Sequence, residues 1–166
     1  MEPNEIAPAH LRSFLEERGI EASFVAPGSP MPTVPLAARA IGVPEDHVLK
    51  TLVFIGASGE FVVAIANGTN RIDRSLLARA SGTRKPRPAT PDDILALTGY
   101  PVGGVAPVGL PASVPVIVDA ATAALDIAYG GGGDEHLLLR IRVSDVIQCN
   151  NAVIASITER PMLDAR

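Results

Sequence analysis

The chain has 166 residues, a formal net charge of −4, one cysteine, no tryptophan, and 4% aromatic against 47% hydrophobic residues. A single cysteine rules out an internal disulfide and leaves no CxxC or clustered Cys/His spacing for a metal, and no apolar run is long enough to span a bilayer. The length suits one domain over residues 1–166 with a core of Val, Ile, Leu and Ala, and the acidic start lacks the basic and apolar regions of a signal peptide, so a cytoplasmic location is expected.

Residues 9–18 place Leu11, Phe14 and Leu15 at helical spacing, with Gly19 where a left-handed cap would fall. A stiff connector, Ala26-Pro27-Gly28-Ser29-Pro30-Met31-Pro32, leads to Thr33, which caps a second helix running to Ile41 with Pro35 in its first turn. Residues 48–55 and 60–66 are β-branched and apolar and read as a hairpin of two central strands around Gly56-Ala57-Ser58-Gly59. Asp73 caps a helix with Leu76, Leu77 and Ala80 inward and Gly82 at its end. Thr90-Pro91-Asp92-Asp93 opens another over residues 92–97. Strands are expected over 114–118 and 136–143, with the turn Gly130-Gly131-Gly132-Gly133 between them. Ser144 is the expected cap of a last helical turn, and 153–158 the closing strand. The pattern predicts one α/β (α+β) domain, its mainly antiparallel, barrel-like sheet surrounded by short helices.

Two features carry chemistry. Lys50 interrupts the apolar run Val48-Leu49-Lys50-Thr51-Leu52-Val53-Phe54-Ile55, where a charge is costly unless a partner uses it. It is either an edge lysine that discourages sheet pairing or a partly desolvated cation ready to hold an anion or polarise an ester. Downstream, Gly99-Tyr100-Pro101-Val102-Gly103-Gly104-Val105-Ala106-Pro107-Val108-Gly109 is too rich in glycine and proline for a regular element and apolar enough to be buried. Such a loop presents selected amides to a ligand, and its presence favours the second account of Lys50. Gly130 to Gly133 offer either a flexible turn or a second wall, while His136 and Cys149 read as a satisfied polar residue and a packing residue.

Charge is unevenly distributed. Arg71, Arg74, Arg79, Arg84, Lys85 and Arg87 face only Asp73 within residues 71–87, a local charge of +5 in a chain whose total is −4. An ordinary solvated helix and loop would give this pattern, and so would a phosphate-binding surface. There is no P-loop, dinucleotide fingerprint or Gly-x-Ser-x-Gly.

Four stretches together are similar to the YbaK/prolyl-tRNA synthetase-associated domain family of aminoacyl-tRNA editing domains. They are Thr33 to Gly42, His47 to Val53 with the lysine, the 99–109 loop with a GxxxP element from Gly103 to Pro107, and the glycine turn leading to His136 and the strand after it. The resemblance implies a barrel-like sheet and a cleft for the 3′-terminal adenosine of a mischarged tRNA and its aminoacyl ester. By that resemblance Lys50, Gly103 and Gly104 would be catalytic, and Phe24, Pro107, Gly131, Gly132 and His136 would contact the substrate. Arg71, Arg74, Arg84, Lys85 and Arg87 would meet tRNA phosphates. No metal or cofactor is implied; the partners are aminoacyl-tRNA and, in some relatives, a synthetase. The alternative is a non-catalytic module that keeps the cleft and only holds tRNA or a synthetase.

Overall fold

Alternating apolar residues with β-branched side chains build two sheets around one shared core in the computed structural model, which describes residues 2–159. The chain opens with two helices, α1 (Pro3–Ile6) and α2 (Ala9–Glu17), the latter burying Leu11 and Leu15. Strand β1 (Ala22–Val25) follows, then α3 (Val34–Ile41), whose Thr33 hydroxyl accepts from the Leu36 amide at 3.4 Å. The hairpin β2 (Leu49–Ile55) and β3 (Phe61–Asn67) pairs antiparallel along its whole length. Helix α4 (Arg74–Ser81) is capped by Asp73, which accepts from the Ser75 and Leu76 amides at 2.9 and 3.0 Å. The two-residue β4 (Arg87–Pro88) then leads into α5 (Pro91–Thr98), opened by a reciprocal box between Thr90 and Asp93. Beyond the Gly/Pro loop come β5 (Val116–Asp119), α6 (Ala120–Ala123), β6 (Ile127–Gly131), β7 (Leu138–Arg142), α7 (Val143–Cys149) and β8 (Val153–Ala155).

The larger sheet has the order β4-β2-β3-β5-β8, and the smaller β1-β7-β6. Pairing is antiparallel except at β3–β5 and β5–β8, and a parallel bridge from Val48 to Tyr129 joins the two sheets at one corner. Between them lies the main core, to which Val53, Val63, Ile65, Val116 and Val118 come from one sheet and Ala128, Leu139 and Ile141 from the other. The outer face of the larger sheet buries Phe54, Val62, Ala64 and Ile117 against Leu77 of α4. Helix α3 covers a third cluster of Met31, Ala37, Ala38, Val48 and Leu138. The result is the mixed, mainly antiparallel α/β domain that the sequence predicts.

Several local expectations change. The glycines 130–133 are not a free turn between 114–118 and 136–143: Gly130 and Gly131 end a strand, β6, that pairs with β7, and the reversal falls at residues 132–137. The cause is Ile127-Ala128-Tyr129, an apolar strand start that buries Ala128 fully. His136 therefore precedes β7 instead of opening it. Helix α7 begins on Val143 after Arg142, with no side-chain cap, so Ser144 lies inside the first turn. Strand β1 was hidden in a stretch too short to show its period, and its Ala22 to Val25 pair with Ile141 to Leu138.

Candidate functional site

The site follows from an interruption in a sheet. On the edge of β2 away from β3, β4 pairs only with Phe54 and Ile55, and the Ala89 amide donates to the Val53 carbonyl at 3.0 Å. At the other end of that edge the Val48–Tyr129 bridge is the one strand pairing among the described residues, which leaves residues 49–52 outside any ladder there. A cleft of about 350 Å³ opens through this gap. Because it enters between strands, residues from both faces of β2, Lys50 and Leu52 as well as Leu49, Thr51 and Val53, line it. Its other walls are Met31 to Val34 and Ala37, then Ile94 of α5, Val102, Gly103 and Val105 of the loop, and Gly131 and Leu138.

Lys50 is half-buried on this wall, and burial holds the pKa of its ammonium below the ordinary lysine value. Its Nζ donates to the backbone carbonyl of Asn70, so the charge stays hydrogen-bonded. Gly103 adopts φ +85, a conformation that favours glycine, with Pro32 across from it at the cleft mouth. Among the described residues no backbone acceptor takes the amides of Gly103 or Val105. Gly104 differs from expectation: its amide donates to the Pro101 carbonyl at 3.0 Å and it does not line the cleft.

The glycine run acts as a bed for this loop. A Cβ on Gly131 would collide with the Val105 carbonyl, coming within 2.8 Å of its carbon, and one on Gly130 would lie 3.0 Å from the Pro107 ring. The Gly133 amide donates to the Gly104 carbonyl at 2.8 Å. From below, the Tyr100 hydroxyl donates to the Val108 carbonyl at 2.8 Å, its own pKa raised by burial. The loop is thus held by main chain on one side and by a buried tyrosine on the other.

Of the residues singled out in the sequence, Lys50, Gly103 and Gly131 come together on the cleft. Gly132 lies behind it, its amide on the Leu137 carbonyl at 3.0 Å, and Pro107 is packed on Gly130 with its carbonyl held by Asn150 at 2.8 Å. Phe24 packs on the main core from β1, and His136 is exposed with its Nδ1 3.1 Å from Asp134. Neither lines the cleft. Arg71, Arg74, Arg79, Arg84, Lys85 and Arg87 are all exposed, and none forms an ion pair among the described residues. Arg74 and Lys85 border a second, open hollow beside α4, and Arg87 immediately precedes Pro88 on the cleft wall. Sequence reasoning missed Met31, Val34, Ile94 and Thr51 as cleft residues. Met31, a lone apolar residue between two prolines, carried a signal: it is 4% exposed, and its amide donates to the Glu135 carbonyl.

A single α/β domain with these mixed sheets has the fold of the YbaK-like editing domains. The comparisons agree, since the family model described as "Aminoacyl-tRNA editing domain" matches residues 28–149. The chain belongs to that family. A protein of Enterococcus faecalis with the provisional name Cys-tRNA(Pro)/Cys-tRNA(Cys) deacylase EbsC is 27% identical over 74% of this chain and 75% of its own. Proline–tRNA ligase of Pelobacter propionicus is 32% identical over 64% of this chain, which spans 19% of that ligase. Among solved structures, the hypothetical protein APE2540 superposes with a TM-score of 0.83 at 31% identity, covering 90% of this chain and 99% of that one. A structure provisionally described as a trans-editing enzyme for prolyl tRNA synthetase gives 0.81 at 29%, covering 91% and 96%.

Proposed function

We propose that this chain is an editing domain that acts in trans as an aminoacyl-tRNA deacylase, cleaving the ester of a tRNA charged with the wrong small amino acid. The substrate we propose is cysteine, alanine or serine on tRNA(Pro) or a related tRNA; of these, the name of the Enterococcus faecalis relative supports cysteine on tRNA(Pro). The observation that carries the reading is the half-buried Lys50 on one wall of the cleft with Gly103, whose amide is unclaimed, on another. The cleft volume of about 350 Å³ suits a small ligand or part of one.

An aminoacyl ester is already activated, so positioning and charge stabilisation can drive its hydrolysis. Water attacks the carbonyl carbon, and the Gly103 amide donates to the oxygen that becomes negative. Lys50 supplies a nearby positive charge. The 3′-oxygen of the terminal adenosine leaves, taking up the proton that the water brings. Gly104, its amide already used, turns the loop so that Gly103 can donate. With cysteine as the misplaced amino acid, its own thiol can replace water as the nucleophile and close a cyclic thioester, and the same two groups serve that route. A synthetase selecting against a missing methylene gains only about 1–3 kcal/mol, which is why a second sieve is useful.

The test is a panel of mischarged tRNAs incubated with the wild type and with Lys50→Ala. Ester loss that falls at least a hundredfold in the variant is expected. Undiminished activity in Lys50→Ala sinks the mechanism, and salt-sensitive tRNA binding with no turnover by the wild type favours a holding module instead.

A further inference from the structure

The cleft contains a buried polar side chain that this mechanism leaves unused. Thr51 lines the cleft and is only 8% exposed, and its Oγ1 has no hydrogen-bond partner. Buried hydroxyls are nearly always satisfied, so one left orphaned on a ligand cleft needs an explanation. Its main chain points the same way. Alternate residues of a strand direct their N–H and C=O groups to the same edge. The Val53 carbonyl faces the β4 side, where Ala89 meets it, and Thr51 lies two residues before it, within the stretch 49–52 that no strand covers. By the same alternation the Thr51 amide shares that edge, so carbonyl, amide and buried hydroxyl of one residue stand without a protein partner at the wall of a cleft lined mainly by apolar residues such as Met31, Val34, Leu49, Val53, Ile94 and Leu138.

We infer that Thr51 recognises the free α-amino group of the aminoacyl ester, so that the site selects free aminoacyl-tRNA over N-acylated or peptidyl forms. This rests on the editing reading above. An aminoacyl ester presents one strong donor next to the scissile carbonyl, its α-amine, and an apolar cleft must supply acceptors for it. Side chains of successive strand residues leave on opposite faces, so the Lys50 ammonium, held by the Asn70 carbonyl, does not compete with that amine. Acylating the nitrogen removes its charge and two of its hydrogens and adds bulk at the gap in β2.

The experiment compares the mischarged tRNA that the wild type cleaves fastest with its N-acetyl derivative, for wild type, Thr51→Val and Thr51→Ser. Alongside, calorimetry measures binding of 3′-alanylamino-3′-deoxyadenosine, which cannot be hydrolysed, and its N-acetyl derivative. Expected is a wild-type preference for the free amine that drops roughly tenfold to a hundredfold in Thr51→Val and is retained in Thr51→Ser. Thr51→Val should melt no lower than the wild type, because the hydroxyl has no partner to lose. An unchanged preference in Thr51→Val overturns the inference, as does a wild type that binds or cleaves both forms equally. A wild type that cleaves nothing yet binds the amine analogue in a Thr51-dependent way overturns the deacylase reading and leaves this one standing.

Discussion

At the residue scale, Lys50 ties the cleft to pH. Burial lowers its pKa, so between that lowered value and about 10.4 the unfolded chain holds more protons than the folded one. The Lys50 contribution to stability then rises with pH through that window, against the opposite trend from Tyr100 and Cys149, whose pKa values burial raises, and the Lys50 part should vanish in Lys50→Met. Urea unfolding of both proteins at pH 8 and pH 10 checks the sign, with the difference between them as the readout. If the ammonium is the form that acts, kcat/KM corrected for spontaneous ester loss falls across the same window in the wild type. This lysine was legible in the sequence because a charge inside an apolar strand stands out. Thr51, its neighbour, did not, since a threonine in a strand is ordinary and only the missing ladder beside it makes its hydroxyl unusual.

At the level of elements, the glycines of β6 are required by contact with the loop. Gly131→Ala drives a methyl into the Val105 carbonyl, and neither main chain can yield cheaply. It should cost about 1–3 kcal/mol. Gly130→Ala, at 3.0 Å from the edge of the Pro107 ring, should cost less. Thermal melts of the two variants give the order, and an equal or reversed cost would show that the loop does not rest on this strand. The helices capped by Thr33, Asp73 and Thr90 were readable because a cap is a local device, complete within four residues. Strands β1 and β6 were not, because runs this short become strands through pairing with β7, more than a hundred residues away for β1. The same limit hid Met31, Val34 and Ile94, which reach the cleft only once α3 and α5 have packed. Gly103 was visible because the Gly/Pro composition of its loop is itself local.

On the scale of the whole molecule, charge is segregated. A basic island at residues 71–87 sits on an acidic body, and its side chains are exposed with no ion pair among the described residues. The island runs into the cleft wall at Pro88. Reversing two of its charges with Arg74→Glu and Lys85→Glu should weaken tRNA binding and flatten its dependence on log salt by about one unit for each phosphate that is no longer neutralised. Turnover of a minimal aminoacyl-adenosine ester should be unaffected, and filter binding across a salt series with that assay separates the two effects. Unchanged tRNA affinity would make the island an ordinary solvated surface. The bed of glycines under the loop also has an evolutionary consequence. Where the loop meets β6 the packing is peptide on peptide, with almost no room for substitution; opposite it stand Met31, Val34 and Ile94, replaceable one at a time. Mutation can therefore reshape the pocket for a larger or smaller acyl group from the helical side alone, leaving the hydrogen-bonding machinery as it is.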